Sequence, residues 1–252
     1  MNSNPSKNQS NQSRILIVGA GMAGLACAVS LRKADVPFLL FDRGDEVGGR
    51  VRTDEVNGYR FDRGFQVLLT AYPEAQRFLD YEKLELGACY PGSKVWFDNH
   101  FHRVADPFRH PMDGVKSLLT PIGSLGDKLR VGLMRLRLLS SKSMPDVCTT
   151  LTGLHEMGFG DSMIDRFWKP FMRGVFLENE LSTTIRKFEE TFRFFSQGDT
   201  VLPRKGIGEI PRQLAGQLPK ENILLETEIS KVNAESVESV DGRKWMGKRV
   251  VL

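Results

Sequence analysis

The 252-residue sequence predicts an α/β fold, built from two separated pieces with a mostly helical insert between them. Three observations lead there. Residues 14–42 read as an apolar strand, a glycine turn, a small-residue helix, a second apolar strand and a terminal acid. The stretch 76–199 is largely helical in pattern, and Pro91, Pro107, Pro111, Pro121 and Pro145 break it into short elements. From residue 200 onward β-branched alternation returns, and Asp241-Gly242 supplies a hairpin turn between two alternating runs.

The first stretch carries the most specific chemistry. Gly19, Gly21 and Gly24 form GxGxxG directly after Ile15–Val18, and Asp42 closes the following strand at the spacing of a dinucleotide fingerprint. Gly19 permits the tight turn, Gly21 lets a pyrophosphate approach the backbone, and Gly24 lets the helix pack closely on the sheet. The helix that opens through Met22 and Ala23 presents free N–H groups and a partial positive charge to phosphate. Asp42 can accept hydrogen bonds from ribose hydroxyls. A Rossmann-like nucleotide domain follows. The rival reading of Ile15–Leu31 as a membrane span is weaker, because three glycines, a cysteine and a serine dilute an uncharged run already near the short limit. The leading MNSNPSKNQSNQS lacks both a basic start and an early apolar core, so residues 1–13 are expected to be a disordered tail rather than a signal peptide.

Composition bounds the rest. Hydrophobic content of 40% and charged content of 26% describe a globular protein long enough for one or two domains. A net charge of +4 is too mild to imply nucleic acid, and no motif for it is present. Cys27, Cys89 and Cys148 are scattered and odd in number, which points to reduced thiols and a cytoplasmic setting. His100 and His102 have the spacing of a metal pair but no ligand cluster around them, so no metal is expected. They fall in a hairpin expected from Val95–Phe97 and His100–Val104, joined at Asp98-Asn99.

After Asp42 come Arg43 and a second glycine pair, in RGDEVGGRVRT with Gly48, Gly49, Arg50 and Arg52. Next is GYRFDRGFQVL, with Tyr59, Phe61, Asp62 and Gly64. GxGxxG, an acid and GGR in this order resemble the flavin-containing amine oxidase and phytoene desaturase superfamily. The resemblance implies FAD as cofactor and Arg50 beside its pyrophosphate, with Gly48 and Gly49 giving close backbone approach. A guanidinium can clamp phosphate oxygens in bidentate fashion, which agrees. The family usually has Glu where this chain has the shorter Asp42. The resemblance continues through RFWKPFMRGVFLENELSTT (Arg166–Thr184), LPRKGIGEIPRQLA (Leu202–Ala215) and ENILLETEISKV (Glu221–Val232), where the strand backbone near Ile229 meets adenine. The cofactor residues it implies are Gly19, Gly21, Met22, Ala23, Gly24, Asp42, Arg43, Gly48, Gly49, Arg50, Gly64 and Ile229. No catalytic side chain stands out.

The expected organisation is a first nucleotide-domain piece over 14–75, a substrate or cap insert over 76–199 and a second piece over 200–252. In the family the strand matching Arg249–Leu252 is followed by more substrate domain and a last flavin motif, so the chain reads as a truncated or split form. The expected activity is FAD-dependent hydride removal from a C–N or C–C bond of an apolar small molecule, nearer the desaturase branch. A non-catalytic or split nucleotide-binding fragment is the alternative. An NAD-dependent dehydrogenase fits GxGxxG and Asp42 but not GGR. The helix Asp127–Lys142 places Leu129, Leu133, Leu136 and Leu139 on one face and Val131, Met134 and Leu138 nearly opposite. Packing on two sides within the cap is the favoured expectation. The alternative is a basic amphipathic element making peripheral contact with a membrane. The sequence leaves the oligomeric state open.

Overall fold

The computed structural model describes residues 13–64, 67–139 and 148–252, which form two compact units. The expected tail lies, except for Ser13, outside the described residues, as do Pro145 and the last three residues of the Asp127–Lys142 helix. Of the described residues, unit 1 comprises 13–64, 67–68, 73–87 and 201–252, and unit 2 comprises 69–72, 88–139 and 148–200.

Unit 1 is built on a parallel sheet. Strand β1 (Ile15–Val18) leads through the glycine turn into helix α1 (Met22–Lys33), and the chain returns as β2 (Phe38–Phe41). A hairpin follows from β3 (Arg52–Val56) and β4 (Tyr59–Arg63), then helix α2 (Pro73–Phe78). The second piece supplies α3 (Glu209–Ala215), β5 (Ile223–Leu224), β6 (Ile229–Asn233), β7 (Ser236–Ser239), β8 (Lys244–Met246) and β9 (Arg249–Val251). The four parallel strands run in the order β5-β2-β1-β9, with Ile15 opposite Phe38 on one side and Arg249 on the other. All four residues of β2 are buried, as a strand covered on both faces requires. Phe38 and Leu40 join Ile17 against Leu25, Ala28 and Val29 of α1, whereas Leu39 and Phe41 join Leu16 against Val237 of β7. The antiparallel sheet β6-β7-β8 turns between its last two strands at Gly242 (φ +84°). The lysine and arginine in the last turn of α1 suit the negative end of its dipole.

The first piece of unit 1 runs to residue 87, beyond the expected boundary at 75. Helix α3 holds it there. Gln213 accepts the Asp80 N–H and donates to the Asp80 carbonyl, Gln217 donates to the Phe78 carbonyl, and Phe78 and Leu79 pack on the α1 core.

Unit 2 is mostly helical around a fully buried Trp168. Its ring meets Phe159, Phe188 and Phe192 edge-on at centroid distances of 5.7, 5.2 and 5.6 Å, and Met134, Leu138, Leu154, Met163 and Ile185 complete the core. Phe159 and Trp168 are therefore core residues. The helical stretch from Asp161 to Phe176 passes through a π-helical turn at Ile164–Trp168, just before Pro170, which has no N–H to donate to the preceding turn. The hairpin Gly92–Phe97/His100–Ala105 turns at Asp98 (φ +52°) and Asn99 (φ +60°), residue types that tolerate left-handed backbone.

The helix Leu125–Leu139 corrects the expectation of burial on two sides. Met134 and Leu138 are 4% and 2% exposed, but Leu129, Leu133, Leu136 and Leu139 are 50–68% exposed. The helix packs against Ile185–Gln197, to which Arg137 Nη2 reaches through the buried Glu189 carboxylate at 3.2 Å. Among the described residues no helix is long and apolar enough to cross a membrane.

Candidate nucleotide site

The site lies within unit 1 and begins with backbone geometry. Gly19 takes φ +105°, which L side chains rarely adopt, and its N–H donates to the Phe41 carbonyl at 2.7 Å. Helix α1 then starts at Gly21 with no side-chain cap and no acid in its first turn, so its N–H groups remain available to an anion. The glycines differ in their reasons. A Cβ on Gly24 would lie 1.9 Å from the Gly19 carbonyl oxygen, so the helix can cross the turn only with glycine there. A Cβ on Gly21 would meet nothing within 4 Å. The space in front of Gly21 is open, and a phosphate can enter it. Met22 is half-buried and Ala23 exposed along the same first turn.

Asp42 stands at the end of β2 and is already engaged. Its Oδ2 accepts the Ala20 N–H at 2.6 Å and its Oδ1 accepts the Gly44 N–H at 2.7 Å. Each carboxylate oxygen keeps a further acceptor position, so ribose hydroxyls can still bind. The residue thus braces the glycine turn, a role that sequence spacing does not reveal. The Asp42 N–H and carbonyl also hold the second piece, through Leu224 and Thr227 at 2.9 and 2.8 Å. Two residues farther on is Ile229, packed beside Leu16, Phe41 and Val237.

The second glycine pair lies against the first turn. Gly48 (φ +112°) donates its N–H to the Ala20 carbonyl at 2.8 Å and forms a parallel bridge with Gly21. A Cβ on Gly49 would lie 3.5 Å from the Gly21 Cα. Arg50 follows, exposed, as is Arg43. A Cβ on Gly64 would come within 2.8 Å of the Arg50 carbonyl oxygen, so Gly64 lets β4 run close behind the turn. The structure therefore brings Gly19, Gly21, Gly24, Asp42, Gly48, Gly49, Arg50 and Gly64 into one neighbourhood.

Outside the turn lies a set of ion pairs. Arg52 Nε meets Glu46 Oε1 at 2.8 Å, Arg52 Nη1 meets Asp45 at 2.9 Å, and Arg212 Nη2 reaches Glu46 Oε2 at 3.2 Å. The hydrogen bond that Arg52 donates to Asp45, with the charges of both nearby acids, pushes the guanidinium above its ordinary value against a smaller effect of burial, so it stays charged. The residues present fit a dinucleotide: an uncapped helix start, open space at Gly21, an exposed arginine and an acid beside the second strand. Elsewhere, the rings of His100 and His102 lie 4.1 Å apart, tilted by 52°, and their ring nitrogens meet the carbonyls of Asp98 and Phe97.

Known proteins resemble this chain in sequence and in fold. Residues 22–252 match the family model for flavin-containing amine oxidoreductases. Phytoene desaturase of Neurospora crassa is 35% identical over 91 residues, covering 33% of this chain and 15% of that protein. Protoporphyrinogen oxidase 2 of Arabidopsis thaliana is 26% identical over 166 residues, covering 64% of this chain and 32% of that one. A putrescine oxidase redesigned in its cofactor binding superposes with a TM-score of 0.71 at 19% identity, over 96% of this chain and 57% of that structure, and so shares the fold. The chain spans less than two thirds of each of these proteins. The match to the family model over residues 22–252, which takes in Gly24, Asp42 and the GGR turn and begins just after Gly19 and Gly21, places the chain in the flavin-containing amine oxidoreductase family, whose cofactor is FAD.

Proposed function

We propose that unit 1 is the FAD-binding domain and unit 2 the substrate or cap domain of an oxidoreductase that removes hydride from a C–N or C–C bond of an apolar small molecule. The observation that carries this reading is the pairing of the Gly48–Arg50 turn with the Gly19–Gly24 turn, open at Gly21. In this reading the N–H groups at the start of α1 and the Arg50 guanidinium hold the pyrophosphate. Asp42 holds the ribose, and the backbone at Ile229 meets the adenine. Gly21, Met22, Ala23, Arg43, Gly48, Gly49 and Gly64 supply close approach around them. Bound flavin supplies the hydride acceptor at N5. An apolar substrate is supported by the names of the relatives, a desaturase and a porphyrinogen oxidase.

Peripheral contact with a membrane belongs to the same reading. The exposed leucine row of Leu125–Leu139 supports it, as do Met112, Val115 and Leu119 at 63–87% exposure on the preceding helix, Pro111–Leu118, and just beyond its end. Flotation with liposomes tests that contact, and recovery of all protein in the lipid-free fraction would refute it. The absorbance spectrum of the purified chain tests the cofactor. Flavin bands that bleach when an amine or polyene is added are expected. A protein that takes up no FAD from solution would refute the assignment.

A further inference from the structure

Thr53 and Asp62 face each other across the β3–β4 hairpin. Thr53 is 9% exposed, and its hydroxyl both gives and takes a hydrogen bond. Thr53 Oγ1 donates to Asp62 Oδ1 at 2.6 Å and accepts the Gly208 N–H at 2.9 Å. The same Asp62 oxygen accepts the Ile207 N–H at 3.0 Å. Two successive N–H groups leading into α3 are thus held by one side-chain pair from the hairpin. Gly206 makes the approach possible, since a Cβ there would lie 2.4 Å from Thr53 Oγ1 and 2.8 Å from Asp62 Oδ1.

These bonds set where α3 begins, and α3 bears on the GGR turn. Pro211, buried on α3, has its Cγ 2.9 Å from the position a Gly48 Cβ would take. Gly48 in turn bridges Gly21 and donates to the Ala20 carbonyl. A continuous set of contacts therefore runs from Thr53 through Pro211 to the face of the nucleotide turn. The Arg52–Glu46–Arg212 ion pairs tether the same turn from its exposed side, where such pairs contribute little.

We propose that Thr53 is a positioning residue for the pyrophosphate site, acting with Asp62 through α3 to hold the Gly48–Arg50 turn against the Gly19–Gly24 turn. The inference rests on the reading of that pair of turns as the FAD pyrophosphate site. A hydroxyl is required because one small buried group must be donor and acceptor at once. Valine fills the same volume but leaves the Gly208 N–H without its acceptor, an arrangement that shifts α3 rather than persisting.

The test uses the full chain as wild type, Thr53→Val, Thr53→Ser and Pro211→Ala. Affinities for FAD, ADP and AMP are measured by titration calorimetry, alongside thermal unfolding of the nucleotide-free proteins. Thr53→Val is expected to weaken FAD and ADP about 10-fold, and AMP, which lacks the second phosphate, less than about 2-fold. Thr53→Ser should restore FAD affinity to within about 2-fold of wild type, because it keeps the hydroxyl. Pro211→Ala, which leaves the Thr53 pair intact, should show the same selective loss, and it decides the matter if Thr53→Val does not fold. Unchanged FAD and ADP affinity in folded Thr53→Val or Pro211→Ala overturns the proposal, as does equal loss of AMP or failure of Thr53→Ser to rescue. A wild-type chain that binds neither FAD nor ADP overturns the nucleotide reading itself, and this inference with it.

Discussion

Gly21 and Gly24 are both glycines of one motif, yet substitution should affect them oppositely. Alanine at an exposed helix position normally gains close to 1 kcal/mol over glycine. Gly24→Ala should reverse that sign, because its Cβ would collide with the Gly19 carbonyl at 1.9 Å, and a loss of about 1–3 kcal/mol or more is expected in urea denaturation. Gly21→Ala meets no atom within 4 Å and has an ordinary φ of −73°, so its urea midpoint should match wild type. Its loss should appear in nucleotide affinity instead, because the methyl group enters the space a phosphate needs. Retention of full FAD affinity by Gly21→Ala would remove the physical basis for placing the pyrophosphate there. Asp42 shows the limit of motif reading at this scale. Its spacing from the glycine turn marks it as a ribose acceptor, but only the folded chain shows both its oxygens on the N–H groups of Ala20 and Gly44.

Among the elements, the helix Leu125–Leu139 separates pattern from packing. Leu138→Ala should cost about 2–5 kcal/mol, the range for a buried leucine, while Leu133→Ala should stay within about 0.5 kcal/mol. Equal costs at the two positions, read from denaturant midpoints, would mean that the leucine row is covered. The start of the same helix makes stability depend on pH. Asp127 is buried; burial pushes its carboxyl up, but hydrogen bonds from Ser124 and Gly160 and the charge of Arg130 outweigh it and hold the group below 3.8. A lowered folded value means stability that is fully present above 3.8 and is lost as pH falls through the folded value. Denaturant midpoints should therefore drop on acidification below about pH 4. Asp127→Asn should be less stable at neutral pH and show a shallower acid slope; an unchanged slope would assign the acid sensitivity to other carboxylates.

For the whole molecule, ligand linkage gives the most direct measurement. FAD at about 100 times its dissociation constant should add roughly 2.7 kcal/mol to the stability of unit 1, which holds every proposed cofactor residue. In a chain of this size that corresponds to a rise of roughly 5–10 °C in unfolding temperature. ADP should reproduce part of the rise, and Gly21→Ala should abolish it. Calorimetry in which FAD leaves every transition of the wild-type chain unmoved would contradict the site.

The sequence by itself determined the strand–turn–helix–strand course of residues 15–41, because glycine geometry, apolar runs and helix polarity act within a few residues of each other. It determined the turns at Asp98-Asn99 and Asp241-Gly242 for the same reason. Family order, together with the return of β-branched alternation after residue 200, assigned Ile229 to the second piece of the first unit. Tertiary structure alone decided which apolar face of Leu125–Leu139 is covered, since both faces have helical spacing and only the elements packed against the helix select between them. It also decided that residues 76–87 belong with the first unit and that Thr53 holds Gly208, a bond between residues 155 positions apart. A contact of that kind leaves no local pattern, because its partners are chosen by the packing of whole elements.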